Sequence, residues 1–160
     1  MIRVVKPEDA YNIASIYNHY VDNTTITFET NSVSTEEMRD RIFAITEKYP
    51  YFVYEESGEV VGYCYASLWK KKEAYHYTVE STVYIDAAFQ GKGIGKMLME
   101  KLISELQEKS FHAIIACITT PNPSSVKLHE KLGFKQVSEF SEVGYKFGQW
   151  LNVGDWELLL

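Results

Sequence analysis

A glycine-rich stretch, Gln90-Gly91-Lys92-Gly93-Ile94-Gly95, is the part of the sequence whose residue types and spacing most clearly indicate chemistry. It follows a β-branched, strand-like run over residues 81–85 and precedes an amphipathic helix pattern over residues 93–109. A strand, a glycine-rich turn and a helix N-terminus direct backbone N–H groups towards one point, which the helix dipole makes attractive to anions. Because glycine has no Cβ, the backbone can also approach a ligand closely. The stretch therefore predicts a pyrophosphate-binding loop.

The spacing of this loop excludes two common phosphate-binding motifs. A Walker loop requires G-x-x-x-x-G-K-[ST], and no Gly-Lys pair here is followed by Ser or Thr. The dinucleotide fingerprint requires G-x-G-x-x-G, whereas this loop reads G-x-G-x-G and lies past the middle of the chain. The pattern Q-x-x-G-x-G, formed by Gln90, Gly93 and Gly95, resembles the R/Q-x-x-G-x-G/A motif that binds acetyl-coenzyme A in the GNAT acetyltransferases. A glycine-rich loop without a ligand is the alternative.

The composition indicates one globular domain, expected to span residues 1–160. Of the 160 residues, 46% are hydrophobic and 24% are charged, which suits one core and is short for two. The formal charge of −6 leaves no basic stripe for a nucleic acid, and no apolar run approaches the roughly 20 residues needed to cross a bilayer. The N-terminus lacks the apolar segment of a signal peptide.

The two cysteines bear on the compartment of the protein. Cys64 and Cys117 each lie in an apolar, strand-like run, and both are expected to be buried free thiols. A disulfide or a nucleophilic cysteine is the alternative. Free thiols are typical of a reducing compartment, so a cytoplasmic protein is expected.

Hydrophobic periodicity predicts an alternation of strands and helices. The strands are expected over residues 2–5, 51–55, 60–69, 77–85, 113–118, 134–143 and 154–159. The helices are expected from Pro7 to about residue 21, from Ser34 to about residue 49, over 93–109 and over 124–132. Since strand–helix–strand units cross over to parallel strands, the strand over 113–118 should pair with the one over 77–85.

The order β-α-α-β-β-β-α-β-α-β-β resembles that of the GNAT fold over essentially the whole chain. The resemblance implies a mixed α/β (α+β) fold, in which a twisted sheet of about seven strands is flanked by about four helices. It also places the glycine-rich loop where that fold binds acetyl-coenzyme A, as a cosubstrate and with no metal.

Several further stretches, spread from residue 16 to residue 156, carry a closer resemblance. They include Ile16-Tyr17-Asn18-His19-Tyr20, Glu47-Lys48-Tyr49-Pro50, Val79-Glu80-Ser81-Thr82-Val83-Tyr84, Leu128-His129-Glu130, Val143-Gly144-Tyr145-Lys146 and Trp150-Leu151-Asn152-Val153-Gly154-Asp155-Trp156. Together they resemble phosphinothricin N-acetyltransferases and their relatives that act on methionine sulfone or sulfoximine. The resemblance implies acetyl transfer from acetyl-coenzyme A to the α-amino group of a small amino-acid-like substrate. A homodimer is usual for such proteins.

This reaction needs a base, because an α-ammonium group must lose a proton before it can attack the thioester carbonyl. Glu80 lies on the strand that leads to the glycine-rich loop, and period-two alternation places it on one face with Thr78, Thr82 and Tyr84. The resemblance implies that Glu80 is the general base, acting directly or through a water. Burial would raise its pKa towards neutrality. A solvent-facing glutamate paired with a lysine is the alternative.

Two further residues are implied at the reaction centre. His129 would hold the substrate or protonate the departing thiolate, and a histidine that is simply part-buried is the alternative. Tyr84 is an alternative proton donor. In this fold the two parallel strands splay apart, which would leave the Tyr84 N–H free to polarise the thioester carbonyl.

The coenzyme site implied by the resemblance extends beyond the loop. Asn122, which Pro123 holds extended with its side chain free, is expected to touch the coenzyme A chain, unless it only shapes a turn. Lys92 and Lys96 flank the loop and could contact phosphates, although a solvated helix face also explains Lys96. The expected coenzyme-binding residues are Tyr84, Ile85, Asp86, Gln90, Gly91, Lys92, Gly93, Ile94, Gly95, Lys96, Met97, Asn122 and Ser125.

Substrate recognition rests on a second set of matching positions. They are Phe28, Lys70, Lys72 and Tyr75. Relatives commonly have Arg at the place of Lys72 and Asn at that of Glu73, and a His where this chain has Phe147. Lys cannot copy the two-pronged grip of Arg on a carboxylate or phosphinate. These departures leave acetyl transfer as the expectation and do not single out phosphinothricin. A solvated loop is the alternative for residues 70–72.

Two other functions stay open. A GNAT enzyme that acetylates a protein N-terminus or an antibiotic amine would need an open, acidic groove, whereas aromatic and lysine-bearing walls favour a small anionic substrate. A non-catalytic acyl-coenzyme A sensor would be favoured by the loss of Glu80, which is present. Neither cysteine has a histidine near it in sequence, so direct attack in a ternary complex is expected, with no covalent enzyme intermediate.

Overall fold

The computed structural model describes residues 1–160, and its strands form one mixed sheet. They are β1 (Ile2–Val4), β2 (Tyr51–Glu56), β3 (Glu59–Leu68), β4 (Thr78–Ile85), β5 (Ala113–Thr120), β6 (Lys135–Lys146) and β7 (Gln149–Leu159). The strand order is β1-β2-β3-β4-β5-β7-β6, and every neighbouring pair is antiparallel except β4 and β5. The predicted strands, their sequence order and the parallel pair are confirmed.

Four helices flank the sheet. They are α1 (Ala10–Asn23), α2 (Thr35–Thr46), α3 (Ile94–Glu108) and α4 (Pro123–Lys131). A 3-10 turn over Pro7–Asp9 precedes α1, so the α-helix itself begins later than the proline suggested. Ser34 caps α2, since its Oγ accepts the Glu37 N–H at 3.1 Å. No helix is long and apolar enough to cross a membrane.

Each face of the sheet has its own apolar core. One face packs against α1 and α2, through residues such as Ile13, Val21 and Tyr63. The other packs against α3, through residues such as Leu98 and Ile114. Side chains of β4 alternate between the two cores, as the period-two pattern predicts: Tyr84 contacts the first, whereas Val79, Val83 and Ile85 contact the second.

The parallel strands β4 and β5 separate part-way along their length. They pair only from Thr78 to Glu80, with Ala113 to Ile115. Beyond Glu80, β4 continues beside β3 as far as Ile85, and β5 continues beside β7 as far as Thr120. The expected splay is confirmed, and it opens a gap in the middle of the sheet.

The last hairpin is longer than the sequence pattern suggested. We expected strands over 134–143 and 154–159, but β6 extends to Lys146 and β7 begins at Gln149. Phe147 and Gly148 form the turn, with φ values of 52° and 72°. A two-residue hairpin turn of type I′ has positive φ at both turn positions, and Gly148 adopts one of them without strain. In the sequence, Gly148 is the residue that indicates this turn.

The hairpin holds the segment between α1 and α2 against the sheet. The buried Lys146 ammonium donates to the Thr27 carbonyl at 2.8 Å, and the Tyr17 hydroxyl lies 2.8 Å from Thr27 Oγ1. The Phe28 ring lies directly over Gly144, where a Cβ would stand 2.3 Å from the ring. Glycine at 144 is therefore required by this close approach.

We expect Gly144→Ala to destabilise the protein by about 1–3 kcal/mol, because the added methyl group must displace the Phe28 ring. Chemical denaturation of the variant and the parent chain measures the difference. Ser141→Ala, at an exposed position on the same strand, is the control and should leave the free energy of unfolding within about 0.5 kcal/mol of the parent. Equal stability of the two variants would contradict the packing described.

Candidate active site

A cavity of about 280 Å³ occupies the gap between β4 and β5. Ile26, Thr27 and Phe28 line it from the segment after α1, and Ser125 and His129 line it from α4. Because α1 and α4 cover opposite faces of the sheet, the cavity passes between the strands. Among its lining residues there is one acid, Glu80, and no lysine or arginine.

Glu80 has the environment of a base. Burial raises the pKa of its carboxyl above the ordinary value of 4.5, and the nearby charge of Asp155 raises it further. No lysine or arginine forms an ion pair with Glu80, so the alternative of a lysine-paired surface glutamate is wrong. A carboxylate whose pKa lies nearer neutrality accepts a proton more readily at physiological pH.

His129 is buried on α4, with 3% of its surface exposed. Its Nδ1 lies 2.8 Å from the Ser125 carbonyl oxygen, which can only accept, so Nδ1 carries the proton and Nε2 has the lone pair. Burial also lowers the pKa of the imidazole. A neutral histidine in this tautomer can accept a hydrogen bond in the cavity, which favours the substrate-holding role over the proton-donating one.

Tyr84 lies at the boundary of the cavity, packed against the rings of Tyr17 and Tyr20. Burial holds the pKa of its hydroxyl well above the ordinary range, so the hydroxyl keeps its proton and can donate a hydrogen bond, but it is a weak acid for protonating a thiolate. The expectation for its backbone amide is wrong. Asp86 N–H donates to the Val61 carbonyl on β3, and amides alternate along a strand, so the Tyr84 N–H also points to β3. The N–H groups of Val83 and Ile85 point into the gap instead.

A second cavity, of about 410 Å³, adjoins the first and contains the glycine-rich loop. The two share Ile26, Val83, Tyr84, Asn122 and Ser125. Its lining includes Ile85 and, from the predicted loop, Gln90, Gly91, Gly93, Ile94, Gly95 and Lys96. It has three lysines, Lys96, Lys127 and Lys131, and no acid. The two adjoining cavities therefore differ in charge, with lysines in the second and one acid in the first.

The loop offers an anion several unused amides. Gly91 and Gly93 have φ values of 75° and 80°, and Gly93 is the N-cap of α3. Neither glycine is required by crowding, since no atom lies within 4 Å of a Cβ added at either position. None of the amides from Gly91 to Lys96 donates a hydrogen bond within the chain. This arrangement is typical of a phosphate-binding helix N-terminus.

Several residues of this cavity were not predicted from the sequence, among them a tyrosine and two lysines that carry polar groups into it. The Tyr20 hydroxyl donates to the Ile85 carbonyl and accepts from Gln90 Nε2 at 2.8 Å, so it fixes the first residue of the motif. Lys127 and Lys131 add two charges from α4. Their spacing of four residues, on the helix face that carries Leu128, was the available signal.

Some expected coenzyme residues lie outside both cavity linings. The Asp86 carboxylate caps a short turn by accepting the Ala88 N–H at 2.8 Å. The Lys92 ammonium lies 4.3 Å from the centre of the Phe89 ring, and Met97 is also outside the linings. Asn122 lines both cavities, but its side chain is not free as expected: Oδ1 accepts the Ser125 N–H at 3.2 Å and caps α4. Only its amide nitrogen stays available to a ligand.

Of the expected substrate residues, the structure brings only Phe28 to the cavity. Lys70, Lys72 and Tyr75 lie on the segment between β3 and β4, outside the lining. The Lys70 ammonium lies 4.2 Å from the centre of the Trp69 ring and 5.2 Å from that of Tyr75. Lys70 therefore packs on aromatic rings within its own segment.

The two cysteines are free, but only Cys64 is buried as expected. Cys117 is exposed and lines the first cavity, because β5 has left β4 at that point. Its Sγ donates to Asp155 Oδ1 at 3.0 Å. Partial desolvation by the cavity walls and the Asp155 hydrogen bond raise the pKa of this thiol, which keeps it protonated. No group of three His, Cys, Asp or Glu side chains could hold a metal ion.

The family model described as an acetyltransferase (GNAT) domain matches residues 2–153. The chain belongs to the GNAT acetyltransferase family. As a member, this acetyltransferase transfers acetyl groups to amines.

Characterised relatives match the acetyltransferase over nearly its whole length. The phosphinothricin N-acetyltransferase of Streptomyces viridochromogenes is 36% identical over 156 residues, which cover 98% of this chain and 85% of the relative. The L-methionine sulfoximine/L-methionine sulfone acetyltransferase of Salmonella typhimurium is 36% identical, covering 99% and 94%. The structure of a phosphinothricin acetyltransferase from Sinorhizobium meliloti in complex with acetyl-coenzyme A is similar with a TM-score of 0.96, at 36% identity, covering 100% and 88%.

We expect Tyr20→Phe to raise the KM for acetyl-coenzyme A by about 5–10-fold, because Gln90 and the Ile85 carbonyl lose a hydrogen-bond partner. The value of kcat should change less, since the hydroxyl bonds only to the loop and strand end. Steady-state kinetics of the acetyltransferase measures both. Tyr11→Phe, exposed on the same helix, is the control. An unchanged KM in Tyr20→Phe would refute the positioning role of the hydroxyl.

Proposed function

We propose that this acetyltransferase transfers the acetyl group of acetyl-coenzyme A to the α-amino group of a small amino-acid-like substrate, of the phosphinothricin, methionine sulfoximine or methionine sulfone type. The observation that carries the proposal is the pair of adjoining cavities, one lined by Glu80 and the other by the glycine-rich loop and three lysines. The names of the relatives support the substrate class.

The coenzyme occupies the basic cavity. The free amides of Gly91 to Lys96 bind its pyrophosphate, and Lys96, Lys127 and Lys131 balance the phosphate charge. The boundary shared by the two cavities receives the acetyl thioester. There the N–H groups of Val83 and Ile85 point into the gap and can polarise the thioester carbonyl.

The substrate amine enters the first cavity, opposite the thioester. Glu80 removes a proton from the ammonium group, and the freed amine attacks the acetyl carbonyl. His129 accepts a hydrogen bond through Nε2 and holds the substrate. As the carbon–sulfur bond breaks, the attacking nitrogen loses its second proton and the departing thiolate takes it up. The Tyr84 hydroxyl stays protonated and donates a hydrogen bond to that thiolate. The protonated state of Cys117 supports direct attack in a ternary complex with no acetyl-enzyme.

The size of the first cavity, which we call the acceptor cavity because it receives the substrate amine, favours a small molecule over a protein N-terminus. Its volume of about 280 Å³ suits an amino acid. Thr27 and Phe28 close one side of it, and the hydrogen bond from Lys146 and the contact with Gly144 fix that segment. A polypeptide substrate would need this segment to move.

We expect Glu80→Gln to lower kcat/KM by about 10²–10⁴-fold, because the amide cannot accept the ammonium proton. Thiol release from acetyl-coenzyme A measures this with phosphinothricin, methionine sulfoximine, methionine sulfone, glutamate and a peptide with a free N-terminal alanine. Glu108→Gln, exposed at the end of α3, is the control. Turnover of the peptide alone would overturn the substrate class, and an unimpaired Glu80→Gln would overturn the mechanism.

The parent enzyme should also lose activity as the pH falls through the raised pKa of Glu80. The protonated carboxyl cannot act as a base, so the acidic limb of kcat/KM should lie above pH 4.5, the ordinary value for a glutamate. A pH profile of kcat/KM measures this limb, which should be missing from the residual activity of Glu80→Gln. A limb shared by both proteins would point to another group.

We further propose that the acetyltransferase is a homodimer, as is usual for the family it resembles. Six apolar side chains of the β6–β7 hairpin are more than half exposed; they are Val137, Phe140, Val143, Tyr145, Phe147 and Trp150. β6 is also an edge strand of the sheet, so two copies can pair the same edge about a two-fold axis.

We expect Trp150→Ser to weaken the dimer, because the Trp150 ring is 63% exposed and packs against the Tyr145 ring at a tilt within this patch. Light scattering coupled to size exclusion measures the molar mass, which should fall from twice 18.5 kDa towards 18.5 kDa on dilution. Tyr11→Ser, 70% exposed on α1, is the control and should leave the dimer intact. A parent chain that is monomeric at all concentrations would refute the homodimer.

A further inference from the structure

Asp155 on β7 has both carboxylate oxygens bonded by side chains of the two flanking strands. Cys117 on β5 is its direct cross-strand partner, and Ser138 on β6 stands opposite it on the other side. Cys117 Sγ donates to Oδ1 at 3.0 Å, and Ser138 Oγ donates to Oδ2 at 2.8 Å. The carboxylate is therefore fixed in one orientation beside the acceptor cavity.

This arrangement lies on the same face of the sheet as Glu80. Glu80 pairs with Ile115, and Cys117 follows Ile115 by two residues, which places both side chains on one face. The pairing of Cys117 with Asp155 then brings the second carboxylate to that face. Glu80, Cys117 and Asp155 thus share one face of β4, β5 and β7, with the Cys117–Asp155 pair two residues along β5 from the partner of Glu80 and with Cys117 lining the cavity.

We propose that Asp155 is a positioning residue of the acetyl-transfer site, a fixed second carboxylate that keeps Cys117 a thiol and strengthens Glu80 as a base. Its role for Glu80 rests on the proposed function; its role for Cys117 does not.

The charges around Glu80 support this assignment. The titratable or charged groups that face it or its surroundings are Tyr65 from β3, Cys117 from β5, Asp155 and Glu157 from β7, Lys135 opposite Glu157 on β6, and His129 from α4 across the gap. No cation lines the cavity to offset the two carboxylates. The Asp155 charge raises the pKa of Glu80, and both acids raise the pKa of the Cys117 thiol.

The consequence for the reaction is a choice of nucleophile. A Cys117 thiolate could attack the thioester, so that the acetyl–sulfur bond of the coenzyme breaks and a new one forms to Sγ. The hydrogen bond that Sγ donates to Asp155 keeps the sulfur protonated. A protonated sulfur does not attack the thioester, because the thiolate is the reactive form of cysteine. The substrate amine, deprotonated by Glu80, is then the one competent nucleophile in the cavity.

Asp155→Asn tests the assignment, since it removes the charge and keeps the shape of the side chain. The first readout is the pH dependence of Cys117 alkylation by iodoacetamide, located by mass spectrometry; its midpoint should fall by about one pH unit or more. The second is the acidic limb of kcat/KM, which should move down by about 0.3–1 pH unit. Glu157→Gln is the matched control, because it removes a like charge from the same strand and face, and it should leave the alkylation midpoint in place.

An unchanged midpoint in either assay of Asp155→Asn would overturn the proposal. An equal shift in Glu157→Gln would also overturn it, because the effect would then belong to net charge. Alkylation is read without turnover, so a chain inactive on every amine would fail the proposed function and still report on Cys117. If Asp155→Asn does not fold, the same alkylation is measured on the parent protein. The midpoint for Cys117 should lie well above the ordinary cysteine pKa of about 8.5, and a midpoint at that value would overturn the assignment.

Discussion

The separation of β4 from β5 after Glu80 is the constraint on which the rest of the site depends. Two strands that stop pairing leave unpaired amides and an opening through the sheet, and unpaired backbone groups are costly unless something binds them. Each strand keeps its other neighbour, so the sheet stays intact around the gap. The opening brings the loop after α1 and the helix α4, which cover opposite faces, to one cavity.

The two cavities that meet at this gap differ in charge. Three lysines and a run of free amides surround the glycine-rich loop, and no acid lies among them. Glu80 stands in the other cavity with no cation to pair it. In the function we propose, the anionic coenzyme is attracted to the lysine-lined cavity and the cationic ammonium group to Glu80, and the two meet at the shared boundary formed by Val83 and Tyr84.

Residues distant in the sequence fix the walls of the cavity. The end of the β6–β7 hairpin, through Lys146 and Gly144, holds Thr27 and Phe28 against the first cavity. Tyr20 on α1 holds Gln90 of the glycine-rich loop at the second cavity. Catalytic groups need geometry held within fractions of an ångström, and contacts of this kind supply it without adding to the chemistry.

The sequence by itself determined the fold, the glycine-rich loop before α3 and the face of β4 that carries Glu80, because strand and helix periods, glycine spacing and side-chain alternation are local properties. The tertiary structure alone decided what those properties meet. It turned the Tyr84 amide away from the gap and exposed Cys117 to the first cavity. It also placed Lys127 and Lys131 in the lining of the second cavity and left Lys70 outside both. Each of these outcomes depends on which strand or helix lies opposite, and a linear pattern contains no information on a neighbour that is tens of residues away.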